Sequence, residues 1–272
     1  MTTPWIPRLQ DCVRSIARRE NDVISAPPLS AYLHPSDPLP AFSYAIPDCP
    51  MLRPVGGDLR TGVDLDAALA RIYDVFVERD RWPRFEFLQQ YAPVLAVALE
   101  AAGYAQESSE PVLYATAESL RHAHKVPGLV LTRLGSDAPI PLVQEMLTVQ
   151  RRGFEGDDAP GISVAAARRF LEKGAGSRGR LARLDGAFVG AGTLSAPCAG
   201  LCELRGIATL ASYRRRGIAS ALTAGLARDA FRLGAEAVFL SAENDDAARL
   251  YQRLGFRRVA TMVAYVRTEG MT

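Results

Sequence analysis

Three consecutive arginines stand directly before a glycine and three further residues in the run Arg214-Arg215-Arg216-Gly217-Ile218-Ala219-Ser220. Good helix formers follow, so the run is predicted to open a helix. The first N–H groups of a helix have no partner within it, and the positive end of the helix dipole lies beside them. Gly217 has no Cβ to hold an anion away from the backbone. The turn is therefore expected to bind a pyrophosphate, although a basic surface turn that only caps a helix has the same composition.

The helix dipole alone contributes only about 0.3–1 kcal/mol to such binding. The arginine charges and several N–H bonds must then supply most of the affinity, and Ser220 adds a hydroxyl donor.

Segments on both sides of this turn strengthen the interpretation. Residues 203–209 read as a strand, and residues 244–256 (Asn-Asp-Asp-Ala-Ala-Arg-Leu-Tyr-Gln-Arg-Leu-Gly-Phe) read as a helix that ends at a glycine. Together, residues 129–266 resemble the GNAT superfamily of acetyl-CoA-dependent N-acetyltransferases. The phosphate-binding signature of that family is Gln or Arg, two residues, Gly, one residue, then Gly or Ala. Arg214, Gly217 and Ala219 meet it.

The resemblance implies a fold, a co-substrate and a set of contacts. The implied fold is the α/β (α+β) GNAT fold, a mixed central sheet flanked by helices, and the co-substrate is acetyl-CoA. In the family, the backbone of a bulged central strand pairs with the pantetheine arm, and Asn244 matches an asparagine that bonds the pantetheine or the mouth of the strand. The implied cofactor-binding residues are Ile207, Ala208, Thr209, Arg214, Arg215, Arg216, Gly217, Ile218, Ala219, Ser220 and Asn244.

Glu203 is the predicted catalytic base. A lysine-like amine has a pKa of about 10.4 and must lose a proton before it attacks a thioester. Strand alternation places Glu203, Arg205, Ile207 and Thr209 on one face. If the sheet splays beside this strand, as in the resembling family, Glu203 faces the acceptor directly or through a water. The alternative is a carboxylate that only pairs with Arg205.

Tyr251 is the predicted catalytic acid. It lies two turns beyond Asn244, and the family places a tyrosine there, whose phenol protonates the departing CoA thiolate. The alternative is an aromatic side chain packed in the core beside Leu250 and Leu254. A backbone N–H of Ala208 or a neighbour is expected to stabilise the oxyanion of the tetrahedral intermediate.

The first half of the chain repeats a pattern of the second half, in which a strand is followed by a helix, a glycine and an aromatic residue. It lacks the candidate catalytic and cofactor-binding residues of the second half. At an offset of 152 residues Phe87-Leu88 falls on Phe239-Leu240 and Gly103-Tyr104 on Gly255-Phe256, with a helix between in each case. This agreement indicates an old duplication, although chance agreement between two ordinary units is the alternative. Tyr251 corresponds to Leu99, and Asn244 to Ala92.

The first half is therefore expected not to bind acetyl-CoA. Its loop 55–62 lacks the Arg-x-x-Gly-x-Ala spacing, and Asp58, Asp64 and Asp66 would repel a phosphate. We expect this half to form one wall of the acceptor pocket or to complete a pseudo-dimer. Tyr44, Arg81 and Trp82 are candidates for selecting the acceptor, and packing roles are the alternative.

Periodicity and turn residues predict the elements that position these groups. Residues 1–40, rich in proline, are expected to be irregular apart from a helix at 7–19. An Asp185-Gly186 turn predicts a hairpin of residues 179–184 and 187–194. The other predicted helices span 64–79, 93–102, 141–152, 164–172, 217–233 and 245–254. The other predicted strands span 41–46, 84–88, 111–115, 129–133, 200–209, 237–241 and 257–266.

Composition excludes several classes of function. The chain has 272 residues, 48% of them hydrophobic, and a net charge of +2, which is too small to indicate a nucleic-acid partner. Four cysteines without a CxxC pair and three histidines predict no metal site. No secretory signal or long apolar run is present, so we expect a cytoplasmic protein with no membrane partner.

Length predicts two domains. The resemblance and the internal repeat imply a degenerate GNAT-like domain at 1–126 and a catalytic GNAT domain at 127–272. The predicted function is acetyl transfer from acetyl-CoA to a primary amine of a small molecule. A mycothiol-synthase-like tandem enzyme and a non-catalytic acetyl-CoA sensor are the alternatives, and a homodimer stays open. The fold allows each of them.

Overall fold

The computed structural model describes residues 5–35, 39–52, 64–173 and 177–268. The helices of this part of the chain are α1 (Trp5–Glu20), α2 (Leu65–Val77), α3 (Pro93–Ala101), α4 (Ile140–Glu155), α5 (Val164–Lys173), α6 (Ile218–Arg232) and α7 (Asp245–Arg253). The strands are β1 (Asp22–Ala26), β2 (Leu29–Leu33), β3 (Tyr44–Pro47), β4 (Arg84–Leu88), β5 (Ala105–Thr116), β6 (Val130–Leu134), β7 (Arg178–Leu184), β8 (Ala187–Leu194), β9 (Leu201–Thr209), β10 (Ala237–Ser241) and β11 (Arg257–Val266).

The chain divides into two compact units. The N-terminal unit comprises Met1–Val112 and Val259–Thr272, and the C-terminal unit comprises Leu113–Arg258. These limits differ from the predicted domains 1–126 and 127–272 for two physical reasons. Leu120 and Ala123 pack against the core of the C-terminal unit, and β11 pairs with β4 of the N-terminal unit.

The sheet of the N-terminal unit contains β1, β2, β3, β4 and β11 in that order, with β3 and β4 parallel and the other neighbours antiparallel. The prediction of irregular chain up to residue 40 was wrong here, because β1 and β2 form a hairpin. Pro27 and Pro28 occupy its turn, where they remove no hydrogen bond from the ladder. Every residue of β2 is buried.

The sheet of the C-terminal unit is mixed and lies between helices, as predicted. Its strands run β10, β9, β8, β7 and β6; β9 and β10 are parallel and the others antiparallel. Leu181 and Ala191 pack under α4, whereas Ala182 and Val189 pack under α6 on the opposite face. The predicted hairpin is confirmed, and Asp185 and Gly186 both adopt left-handed φ angles, of 51° and 84°.

Most of the other predicted elements are confirmed with end shifts of a few residues. β5 is considerably longer than the predicted 111–115. Residues 41 and 42, predicted as the start of a strand, belong to a 3-10 turn (Pro40–Phe42) before β3. β11 is one continuous strand.

Candidate functional site

A cleft opens in the C-terminal unit where two parallel strands separate. β9 and β10 pair from Leu201 and Ala237 as far as Glu203 and Phe239. Beyond that pair lies a cavity of about 300 Å³. The cavity is lined from β9, from the end of β10, from α7 and the segment before it, and from one residue near the end of α4. The lining residues are Phe154, Glu203, Leu204, Arg205, Gly206, Ile207, Ser241, Glu243, Ala247 and Tyr251.

A bulge in β9 changes which side chains face the cleft. Gly206 adopts a φ of +57°, and two residues of β9 oppose one residue of β8 at this point, which defines a bulge. Ile207 packs with the clusters that contain Leu204 and Leu222. It therefore lies on the face opposite Glu203, and the prediction of one shared face was wrong from the bulge onward.

The bulge explains why a glycine occupies position 206. A Cβ on Gly206 would lie 2.3 Å from Nε2 of Gln150, whose amide donates a 2.8 Å hydrogen bond to the Gly206 carbonyl. Gln150 thus fixes α4 against the bulge. The strand backbone at the cleft is held in place by this contact.

Glu203 stands where the two strands separate. Its backbone N–H donates a hydrogen bond to Ser195 Oγ at 2.9 Å, so this N–H is already engaged within the protein. Its carboxylate lies 3.7 Å from Nε of Arg205, so the ion pair foreseen as the alternative is present. The side chain is 18% exposed and also lines the cleft. Glu203 therefore lines the cleft and also pairs with Arg205.

Tyr251 also combines its two predicted environments. It is 8% exposed and packs in the main core cluster, with its ring 6.0 Å from that of Phe256. It also lines the cleft. Burial, helped by the nearby Glu243 carboxylate, raises the pKa of the phenol to about 12. The side chain is a rigid, protonated donor at neutral pH.

The start of α6, where the anion site is predicted, has no side-chain cap. Gly217 is the N-cap residue, with a left-handed φ of 83°, and no side chain caps the helix. Ala221 is the first residue to donate within the helix, to the Gly217 carbonyl at 3.0 Å. The N–H groups of Ile218, Ala219 and Ser220 precede it and have no partner inside the helix. This arrangement suits an external anion.

The three arginines of the turn have different environments. Arg214 donates from Nε to the Thr209 carbonyl at 3.2 Å and from Nη2 to the Gly153 carbonyl at 2.7 Å. It thus ties the turn to the ends of β9 and α4. Arg215 has a left-handed φ of 65°, and the Arg216 guanidinium lies 5.2 Å from the Tyr213 ring centre. Both are exposed.

Asn244 is the N-cap of α7. Its side-chain oxygen accepts from the Ala247 N–H at 3.0 Å, and the residue is exposed. The same side chain was predicted to contact the cofactor. That contact stays a prediction, with the side-chain amide nitrogen as the group that would make it.

In the N-terminal unit, the start of the corresponding helix α2 is capped by a carboxylate. Asp64 is the N-cap of α2 and accepts from the Ala67 N–H at 3.0 Å, and Asp66 follows in the first turn. The predicted loop 55–62, with Asp58, lies outside the described residues. A phosphate would meet negative charge at this helix start, in contrast to Gly217.

The ends of β3 and β4 are bridged rather than splayed. Arg14 of α1 donates to the Pro47 carbonyl at 2.8 Å and to the Tyr91 hydroxyl at 3.1 Å. Met51 and Tyr91 are joined by a backbone hydrogen bond of 3.0 Å. These contacts occupy the position that the cleft has in the C-terminal unit.

The proposed acceptor-selecting residues belong to the N-terminal unit. Tyr44 lies in β3 and is half-buried. Arg81 donates to the carbonyls of Arg79 and Asp80, and Trp82 beside it is 47% exposed. Their role in selecting an acceptor stays a prediction.

The sequence did not single out several cleft residues. Phe154, near the end of α4, is 58% exposed although it is aromatic. Ser241 is the last residue of β10, and Glu243 lies between β10 and α7. Glu243 could have been found from its place immediately before Asn244. Phe154 carries no local signal, because its exposure depends on where α4 ends against the sheet.

In the described ranges no group of His, Cys, Asp and Glu side chains could hold a metal ion. No helix of these ranges is long and apolar enough to cross a membrane.

Residues 144–256, which contain the cleft and the α6 turn, match the model of the acetyltransferase (GNAT) family. This segment of the chain is a GNAT domain. No curated protein sequence is similar enough to count as a match.

Solved structures agree with the GNAT fold over nearly the whole chain. A GCN5-related N-acetyltransferase from Kribbella flavida is 24% identical, with a TM-score of 0.78 over 97% of this chain and 96% of that one. A tandem GNAT protein from the clavulanic acid biosynthesis pathway is 15% identical, with a TM-score of 0.64 over 88% and 78%. A GCN5-related N-acetyltransferase from Sphaerobacter thermophilus is 17% identical, with a TM-score of 0.61 over 88% and 76%.

Proposed function

We propose that this GNAT protein transfers an acetyl group from acetyl-CoA to a primary amine of a small molecule, by direct attack of the amine on the thioester. The observation that carries the proposal is the uncapped start of α6 in the same unit as the cleft between β9 and β10. A helix start without its own cap suits the pyrophosphate, and the cleft suits the pantetheine arm and the acetyl group. We include a cytoplasmic location in this proposal; all four cysteines are free thiols.

In this proposal the residues 207–209 and 214–220 with Asn244 hold acetyl-CoA. The N–H groups at the start of α6 bind the pyrophosphate, and Arg215 and Arg216 neutralise its charge. Arg214 positions the turn through the two carbonyls that it binds. Arg214 is thus assigned a positioning role, because both hydrogen bonds of its guanidinium go to backbone carbonyls and not to the phosphate.

Glu203 removes the proton from the acceptor amine. A carboxylate at the point where the strands separate can reach an amine in the cleft directly or through one water. Arg205, at 3.7 Å, pairs with this carboxylate at the mouth of the cleft. The deprotonated nitrogen then attacks the thioester carbon.

The tetrahedral intermediate requires a donor for its oxyanion. Leu210 donates its N–H to Val189 of β8 at 2.9 Å, so alternation directs the Ala208 N–H toward β8 as well. The N–H groups of Ile207 and Thr209 are then directed away from β8, toward the side of the cleft. We assign the oxyanion contact to these neighbours of Ala208.

Tyr251 protonates the departing CoA thiolate. The phenol is held by packing against Phe256 and stays protonated because its pKa is raised to about 12. A buried donor needs no rearrangement to deliver the proton. Collapse of the intermediate then gives the acetylated amine and free CoA.

Release of the CoA thiol over a panel of primary amines tests the proposal. Turnover with at least one small-molecule amine, above the rate of acetyl-CoA hydrolysis without an amine, is the expected result. Micromolar binding of acetyl-CoA without turnover on any amine would favour a sensor instead. The presence of both Glu203 and Tyr251 on the cleft supports the enzyme, because a sensor needs only the phosphate turn.

A further inference from the structure

A cavity of about 300 Å³ in the N-terminal unit has no part in the proposed reaction. One wall is a single face of α2, where Asp66, Ala70, Tyr73 and Asp74 recur at helical spacing. The rest of its lining includes Tyr104, at the start of β5. Its volume is at the lower end of the range for small-molecule sites, about 300–1,000 Å³.

Two buried polar atoms at this cavity have no hydrogen-bond partner. They are the hydroxyl of Tyr104, a residue that is 4% exposed, and Nε of Arg267. Buried polar groups in native proteins are nearly always hydrogen-bonded, because leaving one unsatisfied is costly. Burial also raises the pKa of the Tyr104 phenol, so the hydroxyl keeps its proton and can donate it to a partner.

Arg267 gives this cavity a fixed positive charge. Its guanidinium lies 4.9 Å from the centre of the Tyr73 ring, and its backbone N–H donates to the Pro83 carbonyl at 3.0 Å. Among the described residues, no carboxylate lies within ion-pair distance of this guanidinium. A planar guanidinium with a fixed orientation is well suited to bind a carboxylate.

Two carboxylates also line this cavity. Asp66 and Asp74 are exposed residues that line the α2 wall, eight positions apart. The same lining includes three apolar side chains, Leu69, Ala70 and Ala102. The cavity thus offers a cation, two carboxylates and an apolar floor.

We propose that this cavity binds a small zwitterion of the α-amino acid type. The ligand carboxylate accepts hydrogen bonds from the Arg267 guanidinium and the Tyr104 hydroxyl. The ligand ammonium group pairs with Asp66 or Asp74, and the ligand side chain packs against Leu69, Ala70 and Ala102. The site is independent of acetyl transfer and goes beyond the proposed function.

Calorimetric titration of the full chain with individual α-amino acids tests this site. At least one is expected to bind with one molecule per chain, whereas acetate and methylamine, which carry one charge each, bind at least about tenfold more weakly. Arg267→Gln should abolish the binding. Arg71→Gln is the matched control on α2, since Arg71 pairs with Glu78 outside the cavity and its loss should leave the affinity unchanged.

Tyr104→Phe gives a second readout that does not depend on the stability of the Arg267 variant. The ring keeps its edge-on contact with Phe85 at 5.3 Å, and only the hydroxyl is lost. Without ligand the melting temperature should rise, because an unsatisfied buried group is removed. With the amino acid that binds the wild type, the affinity should fall about tenfold.

Three outcomes would overturn the proposal. One is the absence of binding by every α-amino acid to the wild-type chain. Another is unchanged affinity in either Arg267→Gln or Tyr104→Phe. The third is a lower melting temperature of ligand-free Tyr104→Phe, since it would mean that the hydroxyl already has a partner, such as an ordered water.

Discussion

At the scale of single residues, Tyr251 combines a place in the core with a place on the cleft. It packs in the core cluster of the C-terminal unit, and the same residue lines the cleft. The sequence predicted the acid and the core packing as alternatives. They could not be separated beforehand, because local spacing does not reveal whether a cleft reaches a core position.

Tyr251→Phe is expected to lower kcat by about 100-fold or more, because general acid catalysis contributes roughly 10²–10⁴-fold. Acetyl-CoA affinity should stay within about twofold of the wild type, since the ring and its contact with Phe256 are kept. Steady-state kinetics and calorimetry measure the two quantities. An unchanged kcat would remove Tyr251 from the acid role.

The raised pKa of Tyr251 also predicts a pH dependence of stability. The phenol titrates near 10 in the unfolded chain and at about 12 in the folded chain. Its stabilising contribution is complete below pH 10 and is lost as the pH rises from 10 to 12, by about 2–3 kcal/mol in total. Between pH 10 and pH 12, the free energy of unfolding measured in urea should therefore fall less for Tyr251→Phe than for the wild type. Equal losses in both proteins would contradict the raised pKa.

At the scale of elements, two helix starts in one chain differ by a single residue type. Gly217 leaves the start of α6 without a side-chain cap, and Asp64 fills the start of α2 with a carboxylate. The sequence predicted this difference from residue types alone. It could not predict the bulge at Gly206, because the bulge depends on the register with β8 and on Gln150 of α4.

A charge at the start of α6 should exclude acetyl-CoA. Gly217→Asp places a carboxylate where the pyrophosphate is proposed to bind, and acetyl-CoA affinity should fall at least about tenfold below that of Gly217→Asn. Asn and Asp tolerate the left-handed φ about equally, so the pair isolates the charge. Calorimetry measures both variants, and equal affinities would argue against the phosphate site.

At the scale of the whole molecule, the chain crosses between its units at the C-terminus. β11 belongs to the N-terminal unit, where Met262, Val263, Ala264 and Tyr265 are buried beside β4. The sequence predicted this strand correctly and assigned it to the second domain. Sequence order alone cannot reveal that β11 pairs with β4, because no local feature of residues 257–266 identifies the partner strand.

Removal of β11 should unfold the N-terminal unit. A chain that ends at Arg258 loses the partner of β4 and leaves Phe85 and Phe87 without the strand that covers their edge. We expect a large loss of helical circular dichroism or aggregation. A chain that ends at Thr268 keeps β11 and is the control. A native spectrum of the shorter chain would contradict this assignment.

From the contrast between Gly217 and Asp64 we propose that the C-terminal unit binds acetyl-CoA and the N-terminal unit does not. Calorimetric titration of the wild-type chain with acetyl-CoA tests this central claim most directly. We predict one molecule bound per chain. Two molecules per chain, or no binding at all, would contradict the account.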